Sequence, residues 1–353
     1  MTAPFVIYES RDSREKLEVN VPLKSLLNVE DLRAEIGIPE YVDLANFQIT
    51  KIVALLWALT RPDVVAQNTK VPPLKVALFG GGAFKLYCQS ANSGPLSRKI
   101  GDIDLVTLRE NGRQVVDTLC SLGEKYGSMF YHGVPEADKR FNALRTGMRY
   151  RIRTIKDTDE TGNPIPGVMD IFCDRLPFCH TMDVRSEVME AEKHLFTIGL
   201  ENLLISKVQY IASVPKPQAA SVDPARVMGE FDKGHLIIGM EQKDMRDVSA
   251  ALLDHDLGEG SQKISVDLMG RKLREDWGLW KTVTMNLKNM HQKLDGIFRS
   301  FEASREAQKV VDERLGKIVQ QLETKYAAKK SMFNFNKQWW EDVEDQSQQS
   351  AHM

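Results

Sequence analysis

The sequence predicts an α/β (α+β) domain with a mixed sheet, joined to a mostly helical C-terminal region. Three observations carry that expectation. The apolar run Val76-Ala77-Leu78-Phe79 ends at Gly80-Gly81-Gly82, the pattern of a strand passing through a tight turn into a helix. Residues 148–155 alternate, with Arg149, Arg151 and Arg153 on one face and Tyr150, Ile152 and Thr154 on the other. A polar turn and a second apolar run, Gly167 to Phe172, come next, so the two runs read as an antiparallel hairpin. From about Leu195 the apolar spacing changes from two to three and four, as Leu200, Leu203, Leu204, Val208 and Ile211 illustrate.

In chain order, residues 1–45 form an N-terminal extension with a strand at Phe5–Tyr8. Ile49, Ile52, Val53, Leu56 and Leu59 recur at helical spacing and predict a helix over 46–60. A Pro72-Pro73 turn leads into the strand at 76–79, and a helix follows from Ala83 to Ser90. Gln89 to Lys99, with Asn92, Ser93, Gly94 and Pro95, reads as a loop. An acidic strand, Asp102 to Val106, and a helix over 111–126 come next. The α/β domain is expected to span 46–195 and the helical domain 196–330. Within the latter, Val214 to Pro224 reads as a linker or excursion and Leu236 to Leu253 as a helix, or two. The stripes Leu287, Met290, Leu294, Ile297, Phe301 and Val311, Leu315, Ile318, Leu322 predict helices packed antiparallel or a coiled-coil-like pair. Residues 331–353, aromatic and then acidic and Gln/Ser-rich, are expected to be a frayed tail.

Composition narrows the function classes. With 353 residues the chain is long enough for two or three domains, and 42% hydrophobic and 27% charged residues are globular values. A net charge of −2 leaves only local basic surfaces for a polyanion. Four scattered cysteines make no disulfide framework and no CxxC pair, so a reducing, cytoplasmic setting is expected. The start of the chain lacks a signal-peptide pattern, and no apolar run reaches membrane-span length. His132, His180, His194 and His235 are too dispersed for a zinc motif.

The chemistry gathers around the glycines. Asp102 and Asp104 lie two apart on a predicted strand, so both face the same way, and paired carboxylates repel unless a cation lies between them. Hard oxygens suit Mg²⁺, and glycines let backbone approach a phosphate. Asp170, in the second strand of the hairpin, supplies a further carboxylate inside an apolar run. Together these features indicate a site for a metal-bound nucleoside triphosphate. A dinucleotide fingerprint fits less well. Gly80 and Gly82 match its first two glycines and Asp102 lies twenty residues after Gly82, but Lys85 stands at the third glycine position. A Walker loop is excluded, because no Gly-Lys-Ser/Thr comes after the glycines.

The set Gly81-Gly82, Asp102-Ile103-Asp104 and Asp170 resembles the nucleotidyltransferase superfamily that includes DNA polymerase beta. More narrowly, the chain is similar to AbiEii-type nucleotidyltransferases, toxin components of bacterial abortive-infection and toxin–antitoxin pairs. The matching motifs are Gly81-Gly82-Ala83-Phe84, Arg98 ahead of Asp102-Ile103-Asp104, Leu203-Leu204-Ile205-Ser206-Lys207-Val208 and Lys243-Asp244-Met245-Arg246-Asp247. They occur in the family's order over about residues 75–255. The interval between glycines and aspartates is longer than usual, and no Thr follows the glycines.

The resemblance implies a polymerase beta-like mixed sheet and transfer of a nucleoside monophosphate from an NTP to an acceptor hydroxyl, with Mg²⁺ or Mn²⁺. A tRNA 3′ end or a protein side chain would be the acceptor, and an antitoxin a partner. Asp102, Asp104 and Asp170 would hold metal, with Asp170 alternatively a base. Gly81, Gly82, Arg98 and Lys207 would bind the nucleotide, and Asp247, with Asp244, would orient Lys207 or the acceptor. Each has a plainer reading. Lys207 can be a lysine snorkelling beside a core stripe. Asp244 and Asp247 can pair with Lys243 and Arg246 on a solvated face. The row Arg149, Arg151, Arg153, with Lys139, Arg140, Arg145 and Lys156 nearby, can be a solvent face or can hold a triphosphate or nucleic-acid backbone. Two other functions share these residues: a small-molecule (antibiotic-type) nucleotidyltransferase, and a catalytically silent nucleotide- or RNA-binding module.

Overall fold

The computed structural model describes residues 5–9, 16–19, 33, 37–42, 56, 74–126, 130–131, 136–158, 164–260, 262–329 and 338–342. The helix expected over 46–60 lies outside them apart from Leu56, which is helical and buried. The chain divides into two compact units. The first comprises Met1–Asn92, Lys99–Leu176 and Asp183–Gly199; the second comprises Ser93–Arg98, Pro177–Met182 and Leu200–Met353. The main boundary therefore falls at Gly199/Leu200, close to the expected 195/196, but two short segments of the earlier chain join the later unit. No helix among the described residues is long and apolar enough to cross a membrane.

The first unit is mixed α/β. Its elements are β1 (Phe5–Glu9), β2 (Lys16–Val19), β3 (Val76–Phe79), α1 (Gly80–Tyr87), β4 (Ile103–Thr107), α2 (Gly112–Tyr126), β5 (Phe130–Tyr131), α3 (Glu136–Leu144), β6 (Arg149–Thr158) and β7 (Pro164–Cys173). The main sheet has the order β3-β4-β7-β6-β5; β4 and β7 are parallel and the other neighbours antiparallel. A parallel pair needs a long crossover, and α2, β5, α3 and β6 supply it. The expected hairpin is β6–β7. Leu78, Ile103, Leu105, Ile152, Met169 and Ile171 are all at most 1% exposed and form the apolar side of the sheet. These strands read as apolar because one whole face lies in the core.

The edge of β6 is closed by a side chain. Asn142 of α3 donates from Nδ2 to the Arg151 carbonyl at 2.8 Å and accepts from the Arg151 N–H at 2.6 Å. It thus imitates a neighbouring strand where the short β5 does not reach, because backbone polar groups need partners.

The second unit contains α4 (Leu200–Val208), β8 (Ala212–Pro215), β9 (Val227–Glu230), β10 (His235–Ile238), α5 (Gln242–Asp254), α6 (Val266–Glu275), α7 (Trp277–Gln292), α8 (Leu294–Ser300) and α9 (Arg305–Thr324). One expectation changes here: the helix expected from Leu236 starts only at Gln242. The linker or excursion expected at 214–224 is an excursion that begins at the end of β8 and leads to β9. The intervening residues form an antiparallel sheet of order β8-β10-β9. The predicted stripes hold: Leu287, Met290, Leu294, Ile297 and Phe301, then Val311, Leu315, Ile318 and Leu322, are all buried. Asn286, 1% exposed, ties three segments together. Its Nδ2 donates to the carbonyls of Val208 and Tyr210, at 2.9 and 2.8 Å, and its Oδ1 accepts from Met240 N–H at 3.0 Å.

The frayed tail expected from 331 onward is wrong at residues 338–342. Trp340, 5% exposed, packs with Cys179, Ile211 and Ile237, and Glu341 N–H donates to the Cys179 carbonyl at 3.0 Å. Trp339 donates from Nε1 to Thr282 Oγ1 at 3.1 Å and carries the Lys281 ammonium 3.2 Å from its ring centroid. Acidic composition masked two aromatic anchors. Trp340→Ala is expected to destabilise this unit by about 3 kcal/mol, the low end for a large buried aromatic, as read from urea unfolding.

Candidate active site

The first unit carries the glycines and all three candidate metal aspartates. Phe79 ends β3 as the N-cap of α1 without a side-chain hydrogen bond. The turn itself is Gly80, whose φ of +66° favours glycine. The helix thus starts at the glycines, three residues before the expected Ala83, so Gly81 and Gly82 are its first turn. A Cβ at Gly80 would lie 2.5 Å from Asp104 Oδ2, so that carboxylate sits directly over the Gly80 α-carbon. Negative charge is favoured there, because the first N–H groups of a helix point toward it.

Lys85, at the position where a dinucleotide site needs its third glycine, is 7% exposed and bonded through Nζ to the Ala91 carbonyl. Asn92 caps the same helix by donating to the carbonyls of Lys85 and Cys88, at 2.8 and 2.9 Å. The residues from Gln89 are therefore tied to α1 by side chains.

Strand register decides how the acids relate. Phe79 is paired with Asp104, Asp104 with Asp170, and Asp170 with Arg151, so these four stand side by side across β3, β4, β7 and β6. In-register neighbours share a face and lie about 4.8 Å apart between adjacent strands. Asp102 does not share this setting: it precedes β4 and is exposed, whereas Asp104 is half-buried and Asp170 is 7% exposed.

Asp170 is already engaged. Arg149 Nη2 donates to its Oδ2 at 2.6 Å, and Arg151 Nε donates to its Oδ1 at 3.1 Å. Aromatic rings hold the guanidinium groups. The Arg149 Cζ lies 4.5 Å from the Phe172 ring centroid, and the Arg151 Cζ lies 4.5 Å from that of Phe141. The expected convergence of Asp102, Asp104 and Asp170 on a metal is accordingly not assembled. Among the described residues no group of three His, Cys, Asp or Glu side chains is placed to hold one. The cause is local: β6 places two guanidiniums against the third carboxylate. The alternating arginines were visible in the sequence, but the register that sets Arg151 opposite Asp170 was not.

The second unit gathers the remaining candidates. Lys207 on α4 has Nζ 3.0 Å from Asp244 Oδ1 and 3.1 Å from Asp247 Oδ2, both on α5. Arg98 forks onto Asp247, Nε to Oδ1 at 2.8 Å and Nη2 to Oδ2 at 2.6 Å. Asp244 and Asp247, three apart on a helix, do face one way. Their partners are Lys207 and Arg98, whereas Lys243 pairs with Glu241 at 2.8 Å and Arg246 lies over the Phe301 ring at 4.3 Å. Both acids reach Lys207, while Arg98, expected on a nucleotide, is held by Asp247.

Burial pulls the Lys207 pKa down, but Asp244 and Asp247 more than offset it, and the net shift is upward. Burial likewise opposes the Asp247 charge, yet Lys207 and Arg98 overcome it and hold that carboxyl below its ordinary value. The cluster thus sets two half-buried cations against two buried carboxyl groups.

Of the histidines, His180 is bonded to Thr282 Oγ1 at 2.9 Å and His235 faces Asp232 at 3.0 Å, while His132 lies outside the described residues.

No family model matches this chain, and comparison with curated proteins and with solved structures returns no match to either.

Proposed function

We propose that this chain is a nucleotidyltransferase with a polymerase beta-like core in its first unit. One observation carries the reading: the Asp104 carboxylate lies over Gly80 at the start of α1, in register with a second carboxylate on the next strand. That placement brings a hard anionic oxygen to the backbone N–H groups suited to phosphate. In the reaction proposed, an acceptor hydroxyl oxygen bonds to the α-phosphorus of an NTP. The bond from that phosphorus to the bridging oxygen breaks, pyrophosphate leaves with the electron pair, and the hydroxyl proton passes to solvent water.

The donor set fits one divalent ion better than a three-carboxylate centre. Mg²⁺ commonly takes one or two carboxylates, and substrate phosphates and water complete its shell. Asp102 and Asp104 would hold it, and it would neutralise charge on the triphosphate. Asp170 is assigned to its two arginines, not to metal. Gly80, Gly81 and Gly82 bring backbone close to the phosphates. A tRNA 3′ end or a protein side chain is the favoured acceptor, a toxin role with an antitoxin partner is the corresponding biology, and a small molecule is the alternative acceptor.

A second reading has its own support. Because Asp170 is bound by Arg149 and Arg151, a module that binds nucleotide without transferring it also fits. Incubation with each α-labelled NTP, Mg²⁺ or Mn²⁺, and total tRNA, protein or aminoglycoside-type acceptors separates the readings. Label on tRNA or protein that falls at least about 100-fold in Asp104→Asn is the expected result, a charge-stabilisation loss of typical size. Label on the small molecule alone moves the assignment to that acceptor. Bound nucleotide with no labelled acceptor rejects transfer in favour of the silent module.

A further inference from the structure

We propose that Arg149 and Arg151 form a clamp for the phosphate chain of a nucleotide, with Asp170 the internal anion that occupies the clamp in the absence of phosphate. The choice of a nucleotide as ligand rests on the function proposed above; the anion site itself rests on the geometry of β6, β7 and α3.

Arg149 and Arg151 lie two apart on β6 and so share the face of the sheet that bears Asp104 and Asp170. Their guanidiniums are packed against rings: that of Arg149 on Phe172, and that of Arg151 on Phe141. Arg145 adds a third, its Cζ 5.2 Å from the Phe141 centroid. Gathering like charges around one ring is unfavourable unless an anion joins them. In this chain Asp170 is such an anion for Arg149 and Arg151, and both arginines reach it within hydrogen-bond distance.

Side-chain exposures of 15% and 18% for the two arginines, against 9% for Asp170, leave the outer part of the clamp open to solvent. A guanidinium is a planar fork that matches phosphate oxygens two at a time, and ring stacking fixes its plane before the ligand arrives. A phosphate chain carries more charge than the single carboxylate it would displace. The clamp also lies in the same row as Asp104, two strands away, or about 10 Å at the backbone.

The test uses the full chain and inorganic triphosphate, titrated calorimetrically in chelator at about 0.15 M salt, where weak surface attraction is screened. Wild type should bind. Arg149→Met and Arg151→Met should each weaken binding tenfold or more. Asp170→Asn should strengthen it several-fold, because the competing anion is neutralised; a metal-ligand role or a hairpin brace would not produce that gain. Circular dichroism checks that each variant is folded, and if an arginine variant is not, the Asp170→Asn arm decides.

Absence of triphosphate binding by wild type overturns the clamp, as does binding unchanged in both arginine variants or weakened in Asp170→Asn. Arginine-dependent binding without any nucleotidyl transfer would uphold the clamp and reject the transferase. Transfer that is unaffected in both arginine variants would do the reverse.

Discussion

Asp247→Ala is expected to destabilise the second unit by about 3–5 kcal/mol, the range for removing one partner of a buried charge pair. Asp247 is only 4% exposed at its side chain and holds both Arg98 and Lys207. Removing it takes both oxygens of the fork from Arg98 and leaves Lys207, a lysine at 13% exposure, with Asp244. The exposed pair Lys243–Glu241 sets the contrast: it lies on the same surface turn of α5 at 58% and 41% exposure, where such a pair contributes about 0–1 kcal/mol.

The pH dependence stems from the depressed Asp247 pKa. The unfolded chain takes up a proton at about pH 3.9, whereas the folded carboxyl does so only at lower pH. Its stabilisation is therefore complete above the unfolded value and is lost as pH falls through the folded one. Lys207 acts in the opposite sense: its raised pKa keeps its contribution in place below the unfolded lysine value, and that contribution is lost only as pH rises through the folded one. Urea unfolding between about pH 3 and 7 should show an acid loss of stability in wild type, and Asp247→Asn should lack that component. An unchanged midpoint in Asp247→Ala would mean that the cluster contributes nothing net.

On the transferase reading proposed above, Gly80→Ala should cost transfer activity at least about 100-fold while removing no charged group. The added methyl would meet Asp104 Oδ2 at 2.5 Å, so the carboxylate must move away from the start of α1. A displacement of about 1 Å at a reacting site costs on the order of 100-fold. The left-handed backbone at Gly80, φ +66°, adds about 1–2 kcal/mol of strain for any residue with a Cβ. Nucleotide-transfer assays on Gly80→Ala, with unfolding curves run in parallel, separate the two effects. Activity near wild type in a folded Gly80→Ala protein would show that the position of Asp104 over the glycine does not matter.

Much of the fold was legible. The strand before the glycines, the hairpin and the two C-terminal apolar stripes all arise from periodicity, because burial repeats every two residues on a strand and about every 3.6 on a helix. Two places misled. Leu236-Ile237-Ile238 is too short an apolar run to tell strand from helix, and it pairs with β8 and β9. The tail from Lys337 is acidic overall, yet Trp339 and Trp340 outweigh its charge by filling a site built from Cys179, Ile211 and Ile237. Residues so distant in sequence leave no local pattern.

The candidate site divides along the same line. By itself the sequence singled out the candidates: the glycines, the three aspartates, the arginine row, and Lys207 with its two helix-borne acids. Local spacing was enough for that, and it also placed Asp244 and Asp247 on one helical face. Only the tertiary structure decided who meets whom. Register across β4, β7 and β6 put Asp170 between Asp104 and Arg151, turning an expected metal ligand into the counter-ion of two arginines. The packing of α4 against α5 gave Lys207 both acids, and the segment 93–98 brought Arg98 to one of them. Charge partners are chosen by which strands and helices become neighbours, and that depends on the burial of whole faces, not on any single motif.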